Sequence, residues 1–295
     1  KANNAVCDVL ERIVDDHRQQ LQGRLEGHDY NDVVTTMLLG SGDNAIAVSD
    51  LIDDLKSFFF AGYDTTSVTL AYAWYALTQA RQWEQRILVE VKSVLEIDAK
   101  APQFKDRLRQ ATYADVVKLK YTTAVIKEAL RLYPPVPLTV RTMEKPVELN
   151  CGQDQATVIP KGTTVFMPTF WIQRSALNWA DPNTFRPERF LAAERPNAEG
   201  EKTTEFRKRH RAHINRNHHP YAWIPFSGGQ RNCVGKNFAL VEAVMALATL
   251  VYHLEICDAR NEAAKSEPLK CATKGLVQQP IGGLPMHLRP RSHHQ

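Results

Sequence analysis

Several features that would place a protein in a special class are scarce or missing here. The 295 residues include only five cysteines (Cys7, Cys151, Cys233, Cys257 and Cys271), an odd number at wide spacing. That excludes a disulfide framework and a paired-thiolate zinc site, and it fits a reducing compartment. No long clean apolar run is present, because the longest, Phe238 to Leu254, contains Glu242 and His253. It falls short of the roughly 20 residues that span a bilayer and predicts a buried helix instead. Charge of one sign is not in excess either: 37 Lys plus Arg face 33 Asp plus Glu, a scattered net +4 that by itself argues for no nucleic-acid partner. There is no Gly-x-Gly-x-x-Gly dinucleotide fingerprint, no flavin segment and no internal repeat. The chain starts at Lys1 without an initiator Met or a charged-then-apolar targeting segment, so it is expected to be part of a longer protein. What remains is an ordinary globular composition, 43% hydrophobic and 24% charged, with ample core for one large domain or two smaller ones.

Apolar periodicity predicts helix over residues 5 to 40, broken at Gly40-Ser41-Gly42. Ser49 is the expected cap of a second helix that reaches about Gln79, with Asp50, Asp53 and Asp54 in its first turns. Phe58, Phe59 and Phe60 point about 100° apart, which predicts a helix passing through the core. Further helices are expected over Arg81 to Leu95 and Ala114 to Tyr133, the latter stopped by Pro134-Pro135. From Val140 to Phe170, β-branched residues alternate with polar ones between Gly152, Pro160 and Gly162, predicting short strands. Residues 191 to 222 are charged and His-rich without period, and predict a surface insertion. Pro280 to Pro285 predicts a hairpin tip.

Chemistry concentrates in Phe226-Ser227-Gly228-Gly229-Gln230-Arg231-Asn232-Cys233-Val234-Gly235, just ahead of the apolar helix. A lone cysteine is usually a small buried hydrophobe. One placed before a helix N-terminus among glycines is favoured as thiolate, which is a good axial ligand for haem iron. Arg231 can meet a haem propionate with a charge-assisted pair. The spacing Phe-x-x-Gly-x-Arg-x-Cys-x-Gly, met at Phe226, Gly229, Arg231, Cys233 and Gly235, resembles the haem-binding loop of the cytochrome P450 family of haem-thiolate monooxygenases. Glu128-Ala129-Leu130-Arg131 is by itself an ordinary i, i+3 pair worth about 0.2–0.5 kcal/mol. The resemblance completes it with Arg189 from Pro187-Glu188-Arg189-Phe190, implying a structural Glu128, Arg131, Arg189 cluster behind the haem. Ala61-Gly62-Tyr63-Asp64-Thr65-Thr66 gathers poor helix formers in mid-helix, where a threonine hydroxyl turned to the carbonyl four back can open a polar notch. By resemblance Asp64 and Thr65 are catalytic, delivering protons to bound dioxygen.

The resemblance also implies Arg141 as a second propionate partner and Phe58, Ala61, Gly62, Leu138, Thr139 and Ile281 as substrate-pocket residues, although core packing explains the last six as well. The fold implied is mainly α with small β-sheets, one domain lacking its amino-terminal part. Residues 1–48 would be the helices preceding the oxygen-site helix and 49–295 the haem and oxygen-site core. The reaction implied is insertion of one dioxygen atom into an apolar substrate, leaning toward fatty acids or other lipids, with haem b as cofactor. Electrons would come from NADPH through a reductase partner. The implied location is the cytosolic face of the endoplasmic reticulum, with membrane attachment only through the lacking amino-terminal part. Arg207-Lys208-Arg209-His210-Arg211 with His213, His218 and His219 has no ligand spacing and no interleaved aromatics, so it reads as a solvated insertion and not as a metal or nucleic-acid site. Two other readings stay open: a haem-thiolate isomerase or dehydratase, and a non-enzymatic truncated remnant.

Overall fold

Helix α1 (Ala2–Gln22), helix α2 (Val33–Gly40) and the start of helix α3 (Val48–Gln79) close on a small core of Val14, Leu51 and Leu55. Leu10, Val34, Met37 and Leu38 pack around it. The computed structural model describes residues 2–22, 32–40, 47–95, 111–149, 156–191, 219–260 and 269–291. It divides into two compact units, Lys1–Asp64 and Thr65–Gln295, with the boundary inside α3. The division is also one of charge. Residues 1–64 hold 12 acidic and five basic side chains, net −7, and residues 65–295 hold 21 acidic and 32 basic, net +11.

Helix α3 departs from expectation in two ways. It begins on the carbonyl of Ala47, which accepts from the N–H groups of Asp50 and Leu51 at 3.1 Å each, so Ser49 lies inside the first turn and is not the cap. Its second half is core, with Val68, Tyr72, Ala73 and Leu77 buried, but Phe58, Phe59 and Phe60 are 46%, 55% and 58% exposed. The small core against α1 and α2 takes up the Leu51 and Leu55 face only, which leaves the aromatic positions outside it.

The second unit continues through α4 (Arg81–Val94), α5 (Tyr113–Lys118) and α6 (Lys120–Leu132). One helix was expected over the last two. Leu119, fully buried, joins them out of helical geometry at ψ 70°. The fresh helix start is capped from a distance: Glu90 of α4 accepts from the N–H of Tyr121 at 2.7 Å and from the N–H and hydroxyl of Thr122 at 3.0 and 2.8 Å. Those donors have no partner within α6, and the capping carboxylate satisfies them. Strands β1 (Thr139–Thr142), β2 (Val147–Leu149), β3 (Thr157–Ile159) and β4 (Thr164–Met167) pair antiparallel as β1 with β4 and β2 with β3. After a short α7 (Thr169–Ile172) and a 3-10 turn at Pro187–Phe190 comes α8 (Lys236–His253), the buried apolar helix expected there. Strand β5 (Leu254–Asp258) pairs with β8 (Met286–Pro290), and β6 (Cys271–Lys274) with β7 (Val277–Pro280). Pro280 to Pro285 is therefore a link between two sheets and not a hairpin tip. Gly282 and Gly283, at φ +78° and +81°, turn the chain out of one ladder into the other.

Helices α3, α4, α6 and α8 share the main core, in which Ala73, Trp83, Ile87, Ile126, Leu247 and Val251 are at most 1% exposed. Each large apolar side chain buried there contributes about 1.5–3 kcal/mol. The architecture is mainly α with small antiparallel sheets, as expected. The break at Ser41-Gly42, the glycine at position 152 and residues 192–218 of the expected insertion, with their basic His-rich cluster, lie outside the described residues. Among the described residues no helix is long and apolar enough to cross a membrane.

Candidate functional site

The segment from Ala222 to Gly235 leads into α8 and is shaped by its own backbone. Its Phe226 carbonyl accepts from the Cys233 N–H at 2.9 Å, closing a loop that contains a 3-10 turn at Gly229–Arg231. Two residues within it have positive φ, Ser227 at 60° and Gly229 at 75°. Glycine adopts that conformation freely, whereas for Ser227 it costs on the order of 1–3 kcal/mol that the surroundings must offset. A side chain at position 228 would reach 3.4 Å from the Tyr221 ring, so glycine there lets the backbone lie on the aromatic face. Cys233 ends the loop as a free, exposed thiol, and the Lys236 N–H at 3.4 Å from its carbonyl opens α8.

Behind the loop lies a buried charge cluster. Glu128 and Arg131, both fully buried, form a two-pronged pair at 2.7 and 2.8 Å, and Glu128 also accepts from Arg189 at 3.4 Å and from the Arg186 N–H at 2.8 Å. The remaining Arg131 donors reach the carbonyls of Gln173, Pro182 and Thr184 at 2.9, 2.6 and 3.3 Å. Trp179 lies beneath both guanidinium groups, with Arg131 at 5.1 Å and Arg189 at 5.9 Å from its ring centre. Burial pulls the Arg189 pKa down, and the Glu128 charge offsets only part of that.

Sequence reasoning missed the connection between cluster and loop. Gln173, fully buried, donates its amide to the carbonyls of Leu130 and Arg131 at 2.9 and 3.1 Å and accepts from the Ile224 N–H at 2.8 Å. Trp223 adds an indole N–H bond to the Lys127 carbonyl at 3.1 Å, and Trp179 one to Ala222 at 3.2 Å. Lys127 itself is 3% exposed, and burial, then the charge of Lys236, push its ammonium down to about 8. Nothing in the local pattern around residue 173 marks it, because its partners lie 42 to 51 positions away.

In front of the loop the arrangement is open. Arg141, held in β1 opposite Val165, directs one nitrogen to the Arg231 carbonyl at 3.3 Å and the Ser227 hydroxyl at 3.5 Å, which ties β1 to the loop backbone two residues before Cys233. Val234 is 85% exposed and Phe238, one turn on, 74%. The run Ala61 to Thr66 lies in unbroken α3. A side chain added at Gly62 would meet nothing within 4 Å, Thr69 donates to the Thr65 carbonyl at 2.8 Å, and the Thr66 hydroxyl reaches Glu242 of α8 at 3.3 Å. Of the expected pocket residues, Phe58 and Ala61 are exposed on α3 with Gly62 half-buried, Leu138 lies just before β1 and Thr139 opens it, and Ile281 is exposed beyond β7.

A cytochrome P450 family model matches residues 1–282. The chain is 31% identical over 277 residues to cytochrome P450 3A6 of Oryctolagus cuniculus, 91% of this chain and 46% of that protein. It is 29% identical over 262 residues to cytochrome P450 4Z1 of Homo sapiens, 87% and 45% respectively, and 29% identical over 305 residues to cytochrome P450 4d2 of Drosophila melanogaster, 99% and 53%. It thus spans about half the length of the curated relatives it matches. With a family model covering nearly all of it, on a mainly α fold with small antiparallel sheets, the chain belongs to the cytochrome P450 family.

Proposed function

We propose that this chain forms the thiolate side and the oxygen side of a haem-dependent monooxygenase, an oxidoreductase that inserts one atom of dioxygen into an apolar organic substrate of lipid character. The observation that carries the reading is the exposed Cys233 sulfur at the end of a loop clasped by Arg141 beside Arg231. These residues fit a haem. A soft sulfur suits iron, two guanidinium groups suit two propionates, and exposed Val234 and Phe238 suit an apolar macrocycle. Among the described residues no group of three or more His, Cys, Asp or Glu could hold a metal ion, so iron would have to bring its other ligands with it, as a porphyrin does.

When bound, the haem supplies the iron chemistry that activates dioxygen. The protein's part is to hold and to meter. Cys233 would hold the haem iron through its sulfur, on a loop fixed by the Phe226 carbonyl and the Gln173 amide, with Gly229 allowing the close turn and Gly235 leading into α8. Arg141 and Arg231 orient the propionates. Asp64 and Thr65, adjacent on α3 near the open space at Gly62, meter protons at the Thr65 hydroxyl. Glu128, Arg131 and Arg189 keep the loop in register. Leu138, Thr139 and Ile281 are the substrate-contacting residues of the second unit, and Phe58, Ala61 and Gly62 those of the first. Electrons come from NADPH through a reductase, which the net +11 of residues 65–295 suits as an acidic partner. Residues 1–48 and 49–295 then work as parts of a single domain.

The test is reconstitution with haem. The reduced carbon monoxide complex should show the far red-shifted Soret band of thiolate ligation, and Cys233→Ala should lose it. An unchanged band in Cys233→Ala would overturn the assignment.

A further inference from the structure

Within residues 1–64, helices α2 and α3 leave a cleft of about 340 Å³ lined by Asp32, Val33, Thr36, Met37, Asp54 and Phe58. That is within the range of ligand clefts, about 300–1,000 Å³, at its lower end. The lining is amphipathic. Val33 and Phe58, 55% and 46% exposed, form an apolar wall with Met37, and two carboxylates stand beside it. Asp32 is held ionised: the Thr35 N–H at 2.8 Å, its hydroxyl at 2.9 Å and His17 at 3.3 Å draw its pKa below the usual carboxylate range. Among the lining residues there is no lysine or arginine, and the surrounding residues 1–64 carry net −7 in a chain of net +4. Such a cleft repels a fatty-acid carboxylate and attracts a cation with an apolar tail.

Position along the helix gives the cleft a direction. Asp54, Phe58 and Gly62 recur every fourth residue and share one face of α3, and at 1.5 Å per residue Asp54 and Gly62 are about 12 Å apart. A ligand whose cationic end meets Asp54 lays its tail over Phe58 toward the open space beside Gly62. We propose that this cleft binds the ammonium end of an amphipathic substrate, a long-chain alkylammonium. That the ligand is a substrate rests on the monooxygenase reading above.

The test compares three probes of equal chain length on the haem-free chain by calorimetry, below their micelle concentrations: decyltrimethylammonium, 1-decanol and decanoate. The quaternary nitrogen has no lone pair and cannot ligate iron, so the comparison carries over to the haem-loaded protein. Asp32 is already engaged by Thr35 and His17, so among the lining residues Asp54 supplies the one free partner, and the ammonium probe should bind up to about fivefold tighter than decanol, with decanoate more weakly still. Asp54→Asn, at an exposed helix position that tolerates substitution, should abolish the preference while decanol binding persists. Phe58→Ala should weaken the ammonium and decanol probes alike. Equal binding of the three probes, or a preference that survives Asp54→Asn, overturns the inference. The Cys233 spectrum separates the two readings. A thiolate band with no ammonium preference sinks the cleft alone, and an ammonium preference without the band sinks the monooxygenase reading and with it the substrate assignment.

Discussion

The two sides of the segment from Ala222 to Lys236 are built on opposite rules. Behind it, Glu128, Arg131 and Gln173 are all 0% exposed, and their side-chain bonds converge on carbonyls and N–H groups from four separate stretches of chain. In front, Cys233, Val234 and Phe238 are exposed, and Arg141 meets the loop at longer distances of 3.3 and 3.5 Å. A buried ion pair adds little net stability for its cost in desolvation, but it fixes geometry, because any displacement leaves a charge unpaired. The contrast is what the proposed cofactor loop would need: one face over-determined, the other left for a ligand. It also separates effects on folding from effects on binding.

The largest effect should come from the back. Glu128→Ala leaves Arg131 buried without its carboxylate and should cost about 3–5 kcal/mol, enough to abolish soluble, cooperatively unfolding protein. Chemical denaturation reads it directly, and near-parent stability would erase the contrast. Gln173→Ala comes next. It strands the Ile224 N–H and removes one donor from each of the Leu130 and Arg131 carbonyls, at roughly 2–3 kcal/mol by denaturant midpoint. If the mutant unfolds as the parent does, Gln173 is not the tie between cluster and loop.

How much of this was legible beforehand differs by side. On the front side the sequence marks the residues that the proposal uses, since Phe226, Arg231 and Cys233 lie within one short motif and Arg141 follows from family order. Of the back, Glu128 and Arg131 stand out as an i, i+3 pair and Arg189 through Pro187-Glu188-Arg189-Phe190. Gln173, Trp223 and Glu90 were not legible, because a side chain that reaches across 31 to 96 residues leaves no period in the sequence around it. The same limit hid the helix restart after Leu119, which depends on a capping carboxylate from another helix. Helix existence was legible from periodicity. Which aromatic face of α3 is covered was not, since that depends on what packs there.

Lys127 supplies a smaller, pH-dependent test of the back side. Its ammonium titrates near 8 in the folded protein, against about 10.4 unfolded, so between those values the unfolded chain binds more protons. Stability should therefore rise with pH through that window, by up to about 1.4 kcal/mol per unit. Tyr133, pushed up to about 12 by burial, works in the opposite sense above pH 10, so the clean interval is pH 8 to 9.5. Lys127→Met should be more stable than the parent at pH 7 and should lack this slope. Parallel pH profiles for the two proteins would mean that water reaches the ammonium.

The smallest effect on folding is expected in front, and it decides whether the openness there has a use. Phe238 is 74% exposed on the first turn of α8, one turn after Val234. An exposed aromatic of this kind contributes almost nothing to a fold, so Phe238→Ala should change the free energy of unfolding by no more than about 0.5 kcal/mol. If the face awaits an apolar macrocycle, the same substitution removes area that haem would bury, and at about 25 cal/mol per Å² the loss of an aromatic ring should weaken haem affinity at least tenfold. Titration of haem into parent and Phe238→Ala, read at the Soret band, measures that ratio without any turnover. A variant that folds as the parent does and binds haem equally well would show that Phe238 faces plain solvent, and the front of the loop would then reduce to Cys233 and its arginines.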